Sequence, residues 1–131
     1  METMSLPRLV RWTAGFSYLI FVAGLLIGGA QPLAVGLIHA PWDKLAHAAS
    51  FGLLAAMVEL AIRPRAWLFF ALPLATSAVD EMHQVFLPGR YASLGDWLAA
   101  AVGVSLVWWF LRHTRLRDLV TFLRGPESSG S

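Results

Sequence analysis

One stretch of this sequence places two acids, a histidine and an amide in a run: Asp80-Glu81-Met82-His83-Gln84. Side chains of these types can move protons, orient one another and ligate cations. On a helix, Thr76, Asp80, His83 and Gln84 share one face, with Ser77 and Glu81 beside it. A second group lies earlier, where Asp43 and His47 stand one helical turn apart with Lys44 between them and Ser50 continuing the face. His47 sits roughly 6 Å further along the axis than Asp43. Arg90 and Asp96 follow the first group. The chemistry these types support is acid–base or nucleophilic work by His47 or His83, with Asp43, Asp80 and Glu81 orienting and polarising the rings. Lys44 and Arg90 would hold an anion such as phosphate, the arginine through its planar fork, with Gln84 and Asp96 completing the binding surface. Plainer roles exist for some of them. Asp96 and Asp43 also read as helix caps, and Lys44 as a cation that snorkels to the interface.

The elements that must position these groups are unusual for a chain of 131 residues. It is 57% hydrophobic and 14% charged, with a mean hydropathy of +0.62. Ordinary soluble domains run about 45–50% apolar and about 25% charged. That difference excludes a disordered chain, a coiled coil and an ordinary soluble enzyme, and leaves a membrane protein whose apolar surface meets lipid. The sequence predicts an all-α bundle of four transmembrane helices, spanning about 12–30, 43–62, 66–86 and 95–111. Gln31-Pro32, Arg63-Pro64-Arg65 and Leu87-Pro88-Gly89 break the apolar runs, and Pro73 is expected to kink the third. Ala99, Ala100 and Gly103 give the fourth helix a face on which a neighbour can approach closely. Residues 112–124 read as an interfacial helix, with Leu116, Leu119, Val120 and Leu123 on one side and arginines on the other. Residues 1–124 are expected to form one domain, and 125–131 a polar, disordered tail. The N-terminus does not read as a cleavable signal. With no cysteine there is no disulfide, thiolate metal site or cysteine nucleophile.

Charge placement predicts an orientation. Of the ten Lys and Arg residues, Lys44 and Arg90 fall at one end of the spans and the rest at the other. The basic-rich end is expected in the cytoplasm, with both termini, so the loops at 33–42 and 87–94 face outward. The arginines flank apolar blocks instead of forming a basic reading face, so no nucleic acid partner is expected. Glu59 and Arg63 read as an ordinary i, i+4 ion pair at the inner end, and Trp108 and Trp109 as an aromatic belt. The remaining polar groups gather at the outward ends of three helices and one loop. Asp80 lies roughly 21 Å along its helix from Ala66, so the Asp80-Glu81 pair needs either a proton or a nearby cation. Lys44, Arg90 and a protonated histidine are the candidates.

The strings Asp43-Lys44-Leu45-Ala46-His47 and Asp80-Glu81-Met82-His83-Gln84-Val85-Phe86-Leu87-Pro88-Gly89-Arg90, followed by Asp96, closely resemble the VanZ-like family. The resemblance extends over roughly residues 12–112. It implies a small bacterial integral membrane protein of four or five spans, located in the plasma membrane. The founding member is associated with low-level resistance to the glycopeptide teicoplanin. The partners this implies are membrane lipids, a lipid-linked cell-wall intermediate or a glycopeptide. Two functional classes follow. One is an enzyme or binder acting on an anionic lipid at the outer leaflet, by phosphate-ester hydrolysis or headgroup transfer. The other is a non-catalytic module in which the same polar residues tie helices together. A metal site from His47, His83 and acidic neighbours has suitable ligand types, but those residues lie on different helices without metal-binding spacing. No metal or cofactor is therefore expected, and the oligomeric state stays open.

Overall fold

The computed structural model describes residues 4–31 and 38–126, and every regular element among them is helical. Five helices follow in order: α1 (Leu6–Gly29), α2 (Trp42–Ile62), α3 (Ala66–Val85), α4 (Leu94–His113) and α5 (Leu116–Arg124). α1 starts at Leu6, ahead of the expected Trp12, because Pro7 in its first turn has a pre-set φ and no amide to leave unpaired. α2 stops where Arg63 takes the left-handed conformation (φ +47°, ψ +62°), since the following Pro64 disfavours the helical region there. Pro73 lies inside α3 and is fully buried, and the helix is continuous through it.

α1, α2 and α4 are long and apolar enough to cross a membrane. α3 has comparable length, but Asp80, Glu81, His83 and Gln84 dilute its apolar character. The helices alternate in direction. At one end His47, near the start of α2, meets Asp80 and Glu81, near the end of α3. Lys44 reaches Asp96 in the first turn of α4 at the same end. At the opposite end, the Arg11 guanidinium near the start of α1 donates to Ala61 O near the end of α2 (3.4 Å).

α2 is the central element and packs against all four other helices. The core consists of Phe51, Leu54 and Ala55 from α2, Phe69 from α3, and Ala100 and Val104 from α4. α4 approaches α2 most closely at Gly103, where a Cβ would stand 2.0 Å from the Ala48 carbonyl oxygen. The outer surface is apolar, with Trp12, Phe16, Leu19, Ile20 and Ile27 of α1 all exposed. That distribution suits a solvent of lipid.

α1 joins α3 through a polar contact. The Tyr18 hydroxyl lies 2.6 Å from Thr76 Oγ1 and 3.3 Å from Leu72 O. Tyr18→Phe is expected to lower stability by about 1 kcal/mol or less, since Thr76 Oγ1 keeps its own bond to Leu72 O (2.8 Å). Reversible unfolding in mixed micelles would measure it.

One expected ion pair changes partner at the end of the bundle that carries Arg63. Glu59 pairs with Arg124 of α5 (2.7 Å) instead of Arg63 one turn on. Arg63 donates to Arg124 O (3.1 Å) and to Gly125 O. The basic segment thus folds back against α2 as α5, and Gly125, the first residue of the expected tail, takes a positive φ of 73° as its C-cap. Residues 127–131 of the expected polar tail and residues 33–37 of the loop at 33–42 lie outside the described residues.

Candidate functional site

The polar residues of α2, α3 and α4 meet around a cavity of about 420 Å³ at the end of the bundle away from Arg63 and Arg124. Asp43, His47, Ser50, Asp80, Gln84, Arg90 and Asp96 line it, with Leu25, Ile38, Phe51 and Tyr91 supplying its apolar walls. Each helix delivers its groups by local rules. Asp43 and Asp96 lie in the first turns of α2 and α4, where carboxylates meet the positive dipole end. Asp80 and Gln84 lie one turn apart on α3, and the Gln84 amide donates to Asp80 Oδ2 (3.3 Å).

Ser93, not Asp96, is the N-cap of α4. Its hydroxyl accepts from the Asp96 amide (3.2 Å). That frees the Asp96 carboxylate, which receives the Lys44 ammonium. Lys44 also lies 3.1 Å from Asp43 Oδ2, so this one cation bridges α2 to α4 between two acids. It does not reach Asp80 or Glu81, which the sequence offered as groups it could neutralise.

His47 occupies the centre. Its Nδ1 lies 3.3 Å from Asp43 O, and a carbonyl can only accept, so the Nδ1 proton points there. Nε2 then faces Glu81 Oε1 at 3.3 Å and Asp80 Oδ2 at 3.8 Å. Phe51 stacks on the ring, with centroids 5.8 Å apart. Asp80 and Glu81 are each only 7% exposed. Glu81 Oε2 accepts the Ser93 backbone N–H (2.7 Å), which fastens the end of α3 to the start of α4. Buried His47 Nε2, Glu81 Oε1, Asp43 Oδ1 and Arg90 Nε have no hydrogen-bond partner among the described residues.

Among the residues singled out in the sequence, Asp43, His47, Asp80, Gln84, Arg90 and Asp96 therefore surround one cavity. Lys44 and Glu81 stand in direct contact with them. His83 is not among the cavity-lining residues, and it takes no part in the ion pairs around His47. Ser93 was missed. Its signal was present as a Ser-x-x-Asp spacing ahead of an apolar run, a pattern that marks a helix start.

Three helices long and apolar enough to cross a membrane, packed in a bundle with a polar cavity at one end, have the character of a membrane protein. Residues 4–117 match the VanZ/LLP1 family, and the chain belongs to it. No curated protein and no solved structure matches the chain.

Proposed function

We propose that this protein is a four-span bacterial plasma-membrane protein that binds, and processes at a phosphate ester, an anionic lipid or lipid-linked cell-wall intermediate. The cavity would open at the outer leaflet. The orientation is supported by the basic residues, because Arg8, Arg11, Arg63, Arg65, Arg112, Arg115, Arg117 and Arg124 flank the opposite ends of the helices. Spanning by α3 is supported by its 20-residue length and by its direction, antiparallel to α2 and α4.

The observation that carries the reading is the composition of the cavity wall. Arg90 presents a guanidinium, its Nε without a hydrogen-bond partner among the described residues, to a space that also contains His47 and two buried carboxylates, beside apolar walls. A phosphorylated lipid has the matching parts, an anion for the arginine fork and an acyl or prenyl chain for lipid-facing apolar surface. His47 is the acid–base candidate at this site. It takes that role in preference to His83, because its ring is held from both sides and aimed at the acids.

Saturable binding of polyprenyl phosphate and phosphatidic acid to the purified protein, together with phosphate release, tests this directly. Arg90→Ala is expected to weaken binding about tenfold or more, the loss of one charge-assisted contact. Equal binding of anionic and zwitterionic lipids, unaffected by Arg90→Ala, would sink the proposal. An influence on teicoplanin susceptibility belongs to the same reading, since an altered lipid-linked wall precursor is where a glycopeptide would act.

A second reading is a non-catalytic module. It is favoured by the Lys44–Asp96 and Glu81–Ser93 links, which join α2 to α4 and α3 to α4. Binding without turnover of any phosphorylated lipid would select it.

A further inference from the structure

We infer that His47, Asp80 and Glu81 form a binding site for one divalent transition-metal cation, of the Zn²⁺ or Mn²⁺ class. These residues come from two helices and lie far apart in the chain, and one ligand atom from each falls within 4.8 Å of the others. Metal–ligand bonds of about 2.0–2.2 Å place neighbouring ligand atoms about 3–4 Å apart. The His47 Nε2 distances of 3.3 Å to Glu81 and 3.8 Å to Asp80 lie in that range.

The donor set calls for a positive centre. With the Nδ1 proton directed at Asp43 O, the Nε2 lone pair faces carboxylate oxygens that have only lone pairs to offer. A proton on Nε2 would make the ring a cation facing two carboxylates and offset one of their charges, but among the described residues it has no hydrogen bond along which to lie. A metal ion needs no such line, because it bonds to all the lone pairs at once. Charge points the same way. Around the cavity stand the carboxylates of Asp43, Asp80, Glu81 and Asp96, against the fixed cations Lys44 and Arg90. Lys44 is committed to Asp43 and Asp96. The excess is two negative charges, which a dication balances.

The supporting contacts have the form that metal ligands require. The ring nitrogen opposite the metal donates to a backbone carbonyl, and the ligating carboxylates are themselves held, Glu81 by Ser93 N–H and Asp80 by Gln84. An imidazole among the ligands favours a transition cation over Mg²⁺ or Ca²⁺, which prefer oxygen. Three protein ligands leave positions open toward the cavity for water or a phosphate oxygen, as in sites that act on bound molecules. The site lies in the cavity assigned above to a phosphorylated lipid, and it rests on that reading only for the use of the cation.

The test is metal content and metal-dependent stability of tag-free, full-length protein in detergent, stripped with chelator and re-equilibrated with ZnSO₄ or MnCl₂. Wild type is expected to retain about one equivalent per chain, to melt at a higher temperature with either metal than with Mg²⁺, and to broaden the Mn²⁺ paramagnetic resonance signal. His47→Ala and Glu81→Gln are expected to fall to background, while His83→Ala and Asp118→Asn keep the wild-type equivalent. Wild type without bound metal and without a metal-dependent melt overturns the proposal, whether or not the variants fold. So does retention of the full equivalent by folded His47→Ala. Lipid binding is measured on the same samples without metal. Metal bound without lipid binding rejects the lipid reading and leaves the cation site standing, and the reverse result does the opposite.

Discussion

Gly103→Leu is expected to prevent stable assembly of the bundle. The Cβ of any residue at this position would lie 2.0 Å from the Ala48 carbonyl oxygen and 2.8 Å from its Cα, and both are backbone atoms that no rotamer change can move aside. α2 and α4 would have to separate along the seam that also buries Leu54, Ala100 and Val104. Overpacking of a flexible site costs about 1–3 kcal/mol, and a rigid backbone contact should exceed that range. Gly103→Ala should show the same defect in weaker form. Gly28→Ala provides the control, because nothing lies within 4 Å of the Cβ it would add. Removing a glycine from the last turn of α1 should leave stability unchanged or raise it by up to about 1 kcal/mol. Accumulation in the membrane and melting in detergent would measure all three. If Gly103→Leu melts like wild type, the close α2–α4 approach is wrong.

Glu81 carries the second large effect, and two substitutions at this position separate structure from chemistry. Glu81→Ala removes the acceptor for the Ser93 amide and leaves a donor unpaired at the start of α4, which should cost about 1–3 kcal/mol. Glu81→Gln keeps a carbonyl oxygen for Ser93, and its amide can donate to His47 Nε2, so in metal-free protein the melt should stay near that of wild type. What it lacks is the charge. Turnover of a phosphorylated lipid is therefore expected to fall about 100-fold or more in this variant, the usual contribution of a positioned acid–base group. Equal destabilisation by Gln and Ala, with turnover per folded molecule unchanged, would make Glu81 a fastener of α3 to α4 and favour the non-catalytic reading.

The contrast between His47 and His83 shows how far spacing carries a site. Both rings stand near the same end of the bundle, and both share a helical face with acids in the sequence. Only His47 faces the carboxylates of another helix. Asp96 is similar. Its position at the start of a helix was legible, but Ser93 takes the capping bond and Asp96 is left for Lys44. Glu59 had an arginine one turn away and instead meets Arg124, which arrives from α5.

Features that depend on neighbours along the chain are legible without the fold. Apolar runs, their proline breaks and the amphipathic segment after residue 112 give the helix positions to within a few residues, apart from the start of α1, which lies six residues ahead of the expected Trp12, because helix formation and termination are local. The scarcity of charge made the membrane solvent and the clustered polar residues visible, and the arginines separated the two ends. Which polar groups touch depends on how the helices pack. Helical periodicity fixes which residues share a face, but not how one helix is rotated and set in depth against the next. That setting comes from packing, from Gly103 closing on Ala48 and from Phe51 and Phe69 filling the core beside them. It is this packing that turns a histidine on one helix toward two acids on another.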